Sequence, residues 1–353
     1  MADDRLRTIV IGTRSRGLAH LAVLNKLTDK FCVVGLCEAD EKLATTAAAQ
    51  FGVPSFTELE RALDTTQPQL AVVAVNAELN HWLVAALAAR GIHALVETPI
   101  GPTTATADLL IESARSHGVV VEVAENMFRR PAERLRSLAL ASGLFGAVVR
   151  VINFRRWQGC HAISLLRRYA ALPPRELTGF VAGFPLAREV QGQWHEDWEH
   201  ARIIFGDAVL GLTEQLRPRS PARLEGQMLV ECTGGVLLET EARSFDTRHR
   251  VRRTRNRKGT LHRLILGDTG IEWQNRFGRY GLGDDDEVSI ADELVNVRQS
   301  ILSGGATEYG ATNAREDVEL LCALRESASA NMTALLPLGT VTSYESQLHF
   351  RLE

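Results

Sequence analysis

The sequence predicts an α/β fold in its first third, a doubly wound parallel sheet, followed by a longer α+β domain with a large, open, mainly antiparallel sheet. Two patterns carry this. Short apolar runs at Thr8–Ile11, Val33–Leu36, Leu70–Val75, Ala94–Val96 and Val119–Val123 alternate with segments whose apolar residues recur at helical spacing. Strands alternating with helices demand crossover connections, hence a parallel sheet covered on both faces. After about Asn126 the pattern changes to strand pairs joined by Gly-rich turns, the mark of antiparallel hairpins.

The elements follow in order. The helix Ala39–Gln50 stops at the Phe51-Gly52-Val53-Pro54 break, and Glu78–Arg90 stops at Gly91, which can take the left-handed conformation of a C-cap. A helix over Pro131–Ser142 ends at Gly143, a strand covers Ala147–Phe154, and a helix runs from His161 to Ala171. Hairpins are expected for Arg202–Phe205 with Val209–Glu214, Met228–Glu231 with Val236–Glu241, and Leu261–Leu266 with Ile271–Trp273. Helices near Val288–Leu302 and Asn313–Ala330 close the chain. The division is 1–125 for a nucleotide-binding domain and 126–353 for the rest.

Composition narrows the function classes. The 353 residues suit about two domains, and 45% hydrophobic with 24% charged residues is ordinary globular usage. A net charge of −3 argues against a nucleic-acid binder or a basic membrane surface. Five cysteines without a CxxC pair read as reduced thiols, and the opening apolar run is short for a signal peptide or a membrane span, so a cytoplasmic protein is expected.

The first strand runs into Gly12-Thr13-Arg14-Ser15-Arg16-Gly17, a G-x-G-x-x-G frame in which Arg14 replaces the middle glycine. Such a frame lets a helix N-terminus meet a pyrophosphate, the first glycine making the tight turn and the third the close helix approach. Arg14 either crowds the phosphates or turns its guanidinium onto them. Glu38, 26 positions after Gly12, ends the second strand and is placed to bind a ribose 2′-hydroxyl, which favours NAD over NADP. Asn76 and His81, after the third apolar run, are further candidate cofactor contacts.

With Ile11-Gly12 through His20, Gly91-Ile92-His93 through Glu97-Thr98-Pro99, and Glu125-Asn126-Met127-Phe128-Arg129-Arg130-Pro131, the chain resembles the glucose-fructose oxidoreductase, inositol dehydrogenase and rhizopine-catabolism family (Gfo/Idh/MocA). The resemblance continues through Gly159-Cys160-His161-Ala162-Ile163-Ser164 and Glu308-Tyr309-Gly310. It implies a Rossmann domain, a substrate-binding and oligomerisation domain, a nicotinamide at the crevice between them, and a homodimer or homotetramer. Glu97, Thr98 and Pro99 would shape the nicotinamide pocket, with Asn126 beside it. The implied reaction moves a hydride between NAD(H) and a carbon of a sugar, aminosugar, cyclitol or nucleotide-sugar, so the partner is a small molecule, phosphorylated or nucleotide-linked ones included.

The resemblance also exposes departures. Family members use a Lys, an Asp and a His; the matching positions here are Thr98, Trp157 and His161. Only His161 keeps proton-transfer chemistry, and a positioned acid or base is worth about 10²–10⁴ in rate. Arg129, Arg130, Arg155 and Arg156 are nearby cations that could bind or polarise a substrate. A repurposed member without dehydrogenase activity, a silent partner of another enzyme, or an imine or enone reductase are the alternatives. No metal is expected: in His195-Glu196-Asp197-Trp198-Glu199-His200 the two His do not share a helix face, and the stretch reads as a polar loop. The basic run Arg243–Lys258 reads as a solvated sheet edge, or as a phosphate clamp, neutralised by Asp284-Asp285-Asp286-Glu287.

Overall fold

The computed structural model describes residues 4–154, 159–190, 193–216, 226–245 and 247–349. The chain forms two compact units: the first takes Met1–Arg130 with Arg255–Leu261 and Asn275–Arg315, the second Pro131–Thr254, His262–Gln274 and Glu316–Glu353. The linear division near residue 125 thus has an addition, because a segment from late in the chain joins the first unit.

In the first unit β1 (Leu6–Ile11), α1 (Ser15–Leu24), β2 (Phe31–Cys37), α2 (Glu41–Phe51), β3 (Ser55–Phe56), α3 (Leu59–Thr66), β4 (Leu70–Val73), α4 (Asn80–Ala88), β5 (His93–Glu97), α5 (Thr104–His117) and β6 (Val121–Ala124) follow one another. The six strands are parallel in the order β3-β2-β1-β4-β5-β6, so the direction of winding reverses between β1 and β4. That reversal opens a crevice at the strand C-termini, where ligands of such sheets bind. The apolar runs behave as expected of strands covered on both faces: every residue of β4 is buried, as are Ile9, Val10, Leu95 and Val96. Asp40 caps α2 by accepting the amides of Lys42 and Leu43, and Gly52, at φ 69°, ends it.

The second unit begins with α6 (Pro131–Ala141), β7 (Val148–Phe154) and α7 (Gly159–Ala170). Its strands continue as β8 (Pro174–Val190), β9 (Gln193–Phe205), β10 (Val209–Leu216), β11 (Gln227–Cys232), β12 (Gly235–Leu237), β13 (Glu241–Ser244), β14 (Thr247–Arg255), β15 (Leu261–Leu266) and β16 (Glu272–Gln274). Then come α8 (Asp285–Ser303), which belongs to the first unit, α9 (Ala311–Ala330), β17 (Ala334–Leu335) and α10 (Ser343–His349). Eleven strands form one sheet in the order β16-β15-β14-β13-β12-β11-β7-β10-β9-β8-β17. Two hairpins form as read, Phe205 pairing with Val209 and Ile265 with Glu272; in the third Cys232 pairs with Gly235, but the strand expected over Val236–Glu241 divides into β12, which ends at Leu237, and β13, which begins at Glu241 and pairs back on β12. Val151, Val230, Ala201, Ile203 and Phe205 bury one face of the sheet.

Two further readings are corrected. The stretch around His195–His200 is not a loop but part of β9, and burial alternates residue by residue from Trp198 to Phe205 because successive side chains point to opposite faces of the sheet. The basic run is not a sheet edge. Its strand β14 lies between β13 and β15, with Glu241 opposite Arg250 and Arg243 opposite Arg248. Within that run Glu241 holds Arg243 and Arg248, while in the acidic run Asp284 caps α8, Asp286 takes Arg16 and Arg130, and Glu287 takes Lys26. Alternation reveals which face is wet, but not which strand or charge lies alongside.

Candidate functional site

The candidate cofactor residues of the first unit gather at the C-terminal ends of its parallel strands. Gly12 leaves β1 at φ 87°, and a Cβ there would stand 2.3 Å from the Ala74 carbonyl oxygen. A Cβ on Gly17 would stand 1.9 Å from the Gly12 carbonyl oxygen, so both ends of the frame require glycine. Arg14 tolerates its own Cβ: it is extended, with φ −79° and ψ −169°, exposed, and sits at the N-cap of α1 without a side-chain cap. Ser15 opens the helix and is also exposed. The α1 amides are thus not masked by a capping side chain, which suits an anion.

Glu38 closes the turn from the neighbouring strand. Its Oε2 accepts the Thr13 amide at 2.9 Å and the Thr13 hydroxyl at 3.2 Å, while Oε1 accepts the Asp40 amide at 3.2 Å. A carboxylate held this way keeps lone pairs for hydroxyl donors and repels a phosphate. The glycine pair, the uncapped helix start and this acid together fit a dinucleotide whose ribose is unphosphorylated.

Glu97 ends β5, and the Thr98–Pro99 peptide that follows is cis. Asn80, buried at the start of α4, holds this connection by donating Nδ2 to the carbonyls of Pro99 at 3.1 Å and Ile100 at 3.2 Å. Thr98 is half-buried. Asn76 is exposed after β4, and His81 is half-buried with its ring 5.3 Å from that of the exposed Trp82; burial lowers its pKa.

Beneath Glu97 lies a charged cluster. Glu97 Oε1 accepts His20 Nε2 and Arg16 Nε, each at 2.8 Å. Burial opposes the Glu97 charge, but the His20 hydrogen bond and charge and the Arg16 charge outweigh it and bring the pKa to about 2. Helix α8 supplies the rest. Asp286 accepts Arg16 Nη1 at 3.0 Å, Asn126 Nδ2 at 2.8 Å and Arg130 Nη2 at 3.3 Å. Glu293, fully buried, lies 3.8 Å from His20 Nε2, and neither of its carboxyl oxygens has a hydrogen-bond partner among the described residues. Burial first, and then the Glu97 charge, raise its pKa well above the usual carboxyl range, which favours the protonated form.

Arg129 belongs to the scaffold. Its side chain is fully buried, with Nη1 2.9 Å from Glu308 and 3.4 Å from Asp292 and Nη2 on Glu122. Burial raises the Glu122 pKa to about 7 despite Arg129. In the second unit His161 occupies the first turn of α7, half-buried, and its carbonyl accepts the Ser164 hydroxyl at 3.0 Å. Trp157, Arg155 and Arg156 lie outside the described residues. Sequence reasoning missed Asn80, Asp286 and Glu293, although the acidic run at the head of α8 was visible in the sequence.

Among the described residues no helix is long and apolar enough to cross a membrane. Residues 6–125 match the family model GFO_IDH_MocA, described as an oxidoreductase family with an NAD-binding Rossmann fold. Inositol 2-dehydrogenase of Streptomyces avermitilis is 26% identical over 245 residues, 67% of this chain and 65% of that protein, just under two thirds of its length. Among solved structures, the NAD binding oxidoreductase from Klebsiella pneumoniae superimposes with a TM-score of 0.74 at 17% identity, covering 94% of this chain and 99% of that one. The WlbA dehydrogenase from Bordetella pertussis, in complex with NADH and UDP-GlcNAcA, gives 0.71 at 17% identity over 95% and 99%. GenD2 from gentamicin A biosynthesis, in complex with NAD, gives 0.71 at 20% identity over 94% and 97%. These structural likenesses concern the fold.

Proposed function

Because the chain belongs, through residues 6–125, to the GFO_IDH_MocA oxidoreductase family with its NAD-binding Rossmann fold, we propose that it transfers hydride between NAD(H) and a carbon of a sugar, aminosugar, cyclitol or nucleotide-sugar. The observation that carries this is the Thr13–Glu38 bond at the end of β1 and β2, which sets a carboxylate beside a glycine turn and an uncapped helix start. The substrate class is supported by the relatives, an inositol dehydrogenase and a dehydrogenase crystallised with UDP-GlcNAcA.

When bound, the nicotinamide accepts or donates the hydride. The chain's residues do the rest. The amides of Arg14 to Arg16 meet the pyrophosphate, Glu38 takes a ribose hydroxyl, and Asn80 fixes the backbone at Pro99 and Ile100 that lines the nicotinamide side. His161 takes the substrate hydroxyl proton as hydride leaves, and returns it in the reverse direction.

Calorimetric titration with NADH and NADPH tests the reading. Binding of NADH in preference to NADPH is expected, and failure to bind either overturns it. A second reading, a repurposed member without this redox activity, is favoured by Thr98, which has no ionisable group where the resembled family has lysine. Thr98→Lys separates the two: a gain in NAD-linked oxidation of myo-inositol or UDP-N-acetylglucosamine supports the dehydrogenase, no gain with NADH still bound the repurposed scaffold.

A further inference from the structure

As a hydroxyl proton and a hydride leave a substrate carbon, negative charge builds on the oxygen, and a fixed donor that meets it lowers the barrier. Thr98 has no charge to offer. Arg129 is buried among Glu122, Asp292 and Glu308. Arg16 is placed differently. It starts in the first turn of α1, above β1, yet its guanidinium reaches Glu97 at the end of β5. It shares Glu97 Oε1 with His20 of the same helix, so its charge is fixed at the residue that directly precedes Thr98.

The group is also anchored. Nε donates to Glu97 and Nη1 to Asp286, and these carboxylates are themselves held by His20 and by Asn126 and Arg130. Of the five N–H groups of a guanidinium, three remain without a partner among the described residues, on a side chain that is 34% exposed. A cation held by two fixed acids with donors to spare needs little reorganisation to receive an oxygen.

We propose that Arg16 replaces the missing lysine, donating its remaining N–H groups to the reacting oxygen of the substrate. This rests on the dehydrogenase reading above. The C–H bond breaks and its electron pair leaves as hydride for the oxidised nicotinamide. The O–H proton goes to a general base, the C=O bond forms, and Arg16 neither gains nor loses a proton.

The test compares wild type, Arg16→Met, Arg16→Lys and the double variant Arg16→Met/Thr98→Lys with NAD and a panel of myo-inositol, D-glucose and UDP-N-acetylglucosamine. Arg16→Met is expected to lower kcat by about 10²–10³-fold, the loss typical of an oxyanion donor, with the NADH dissociation constant within about threefold. The double variant should recover at least about tenfold over Arg16→Met, since a lysine restores a donor near the same oxygen; a purely structural Arg16 would not be rescued from position 98. If Arg16→Met does not fold, Arg16→Lys, which keeps the charge but loses the fork, should lose about tenfold in kcat at unchanged NADH affinity. Unchanged kcat in Arg16→Met and Arg16→Lys, no rescue, or lost NADH binding overturns the inference while leaving the dehydrogenase intact. A wild type that binds NADH but turns over none of the panel overturns both.

Discussion

Glu38 Oε2 holds the backbone amide of Thr13 at 2.9 Å, so the turn after β1 and the end of β2 share one carboxylate. This contact couples the shape of the glycine turn to Glu38, the residue proposed to meet the ribose. Glu38→Ser should weaken NADH binding by about tenfold, the worth of one hydrogen bond to a charged group. It should also raise NADPH affinity relative to NADH by at least about tenfold, because the charge that repels a 2′-phosphate is gone. Fluorescence titration with both nucleotides measures the two effects.

The turn itself has no room for side chains. Gly17→Ala would drive a Cβ to 1.9 Å from the Gly12 carbonyl oxygen. A loss of about 2 kcal/mol or more in urea denaturation is expected, with NADH binding reduced at least about tenfold. Gly91 provides the control. It has φ 70°, and a methyl group there would meet nothing within 4 Å, so Gly91→Ala should cost about 1–2 kcal/mol from backbone strain and leave NADH binding unchanged.

Glu293 makes stability depend on pH. Its folded pKa is raised by burial and by Glu97, with Glu122 adding to the rise and Arg16 and Arg129 opposing it. Above about pH 4.5 the unfolded chain ionises this carboxyl while the folded chain keeps the proton, so wild-type stability falls as pH rises until the folded pKa is passed. Glu293→Gln keeps the shape and removes the titration. Its stability relative to wild type should therefore increase from pH 5 to pH 8, by up to about 1.4 kcal/mol per pH unit. Urea denaturation at the two pH values checks this; a constant difference would contradict it.

Two arginines that the sequence offers as alternatives for anion binding should behave in opposite ways. Arg129→Met leaves Glu122 without its buried partner and should cost about 3–5 kcal/mol. Arg14 is exposed, and Arg14→Ala should stay within about 0.5 kcal/mol of wild type. Thermal and urea unfolding of the two variants give the comparison.

Much of the fold was legible because it is written in local patterns. The apolar runs of β1, β4 and β5, the stop of α2 at Gly52, the stop of α6 before Gly143 and the turns at Gly206 and Gly234 each depend on residues a few positions apart. The candidate site was legible where it is also local, in Gly12–Gly17 and Glu97–Pro99. It was not legible where charges meet across the chain. Arg16 and Asp286 are 270 positions apart, and the spacing of an acidic run says nothing about which cation it will find. The basic strand β14 shows the same limit, since exposure follows from alternation but neighbours follow from sheet order.

The sequence by itself determined the two kinds of sheet, the glycine turn with its acid, and the family resemblance, because periodicity, turn chemistry and motif spacing act over short stretches. Tertiary structure alone decided that α8 joins the first unit, that Glu293 is buried with its pKa raised and that Arg16 turns to Glu97. Those outcomes depend on desolvation and on charges brought together by packing, and neither exists until the distant segments have met.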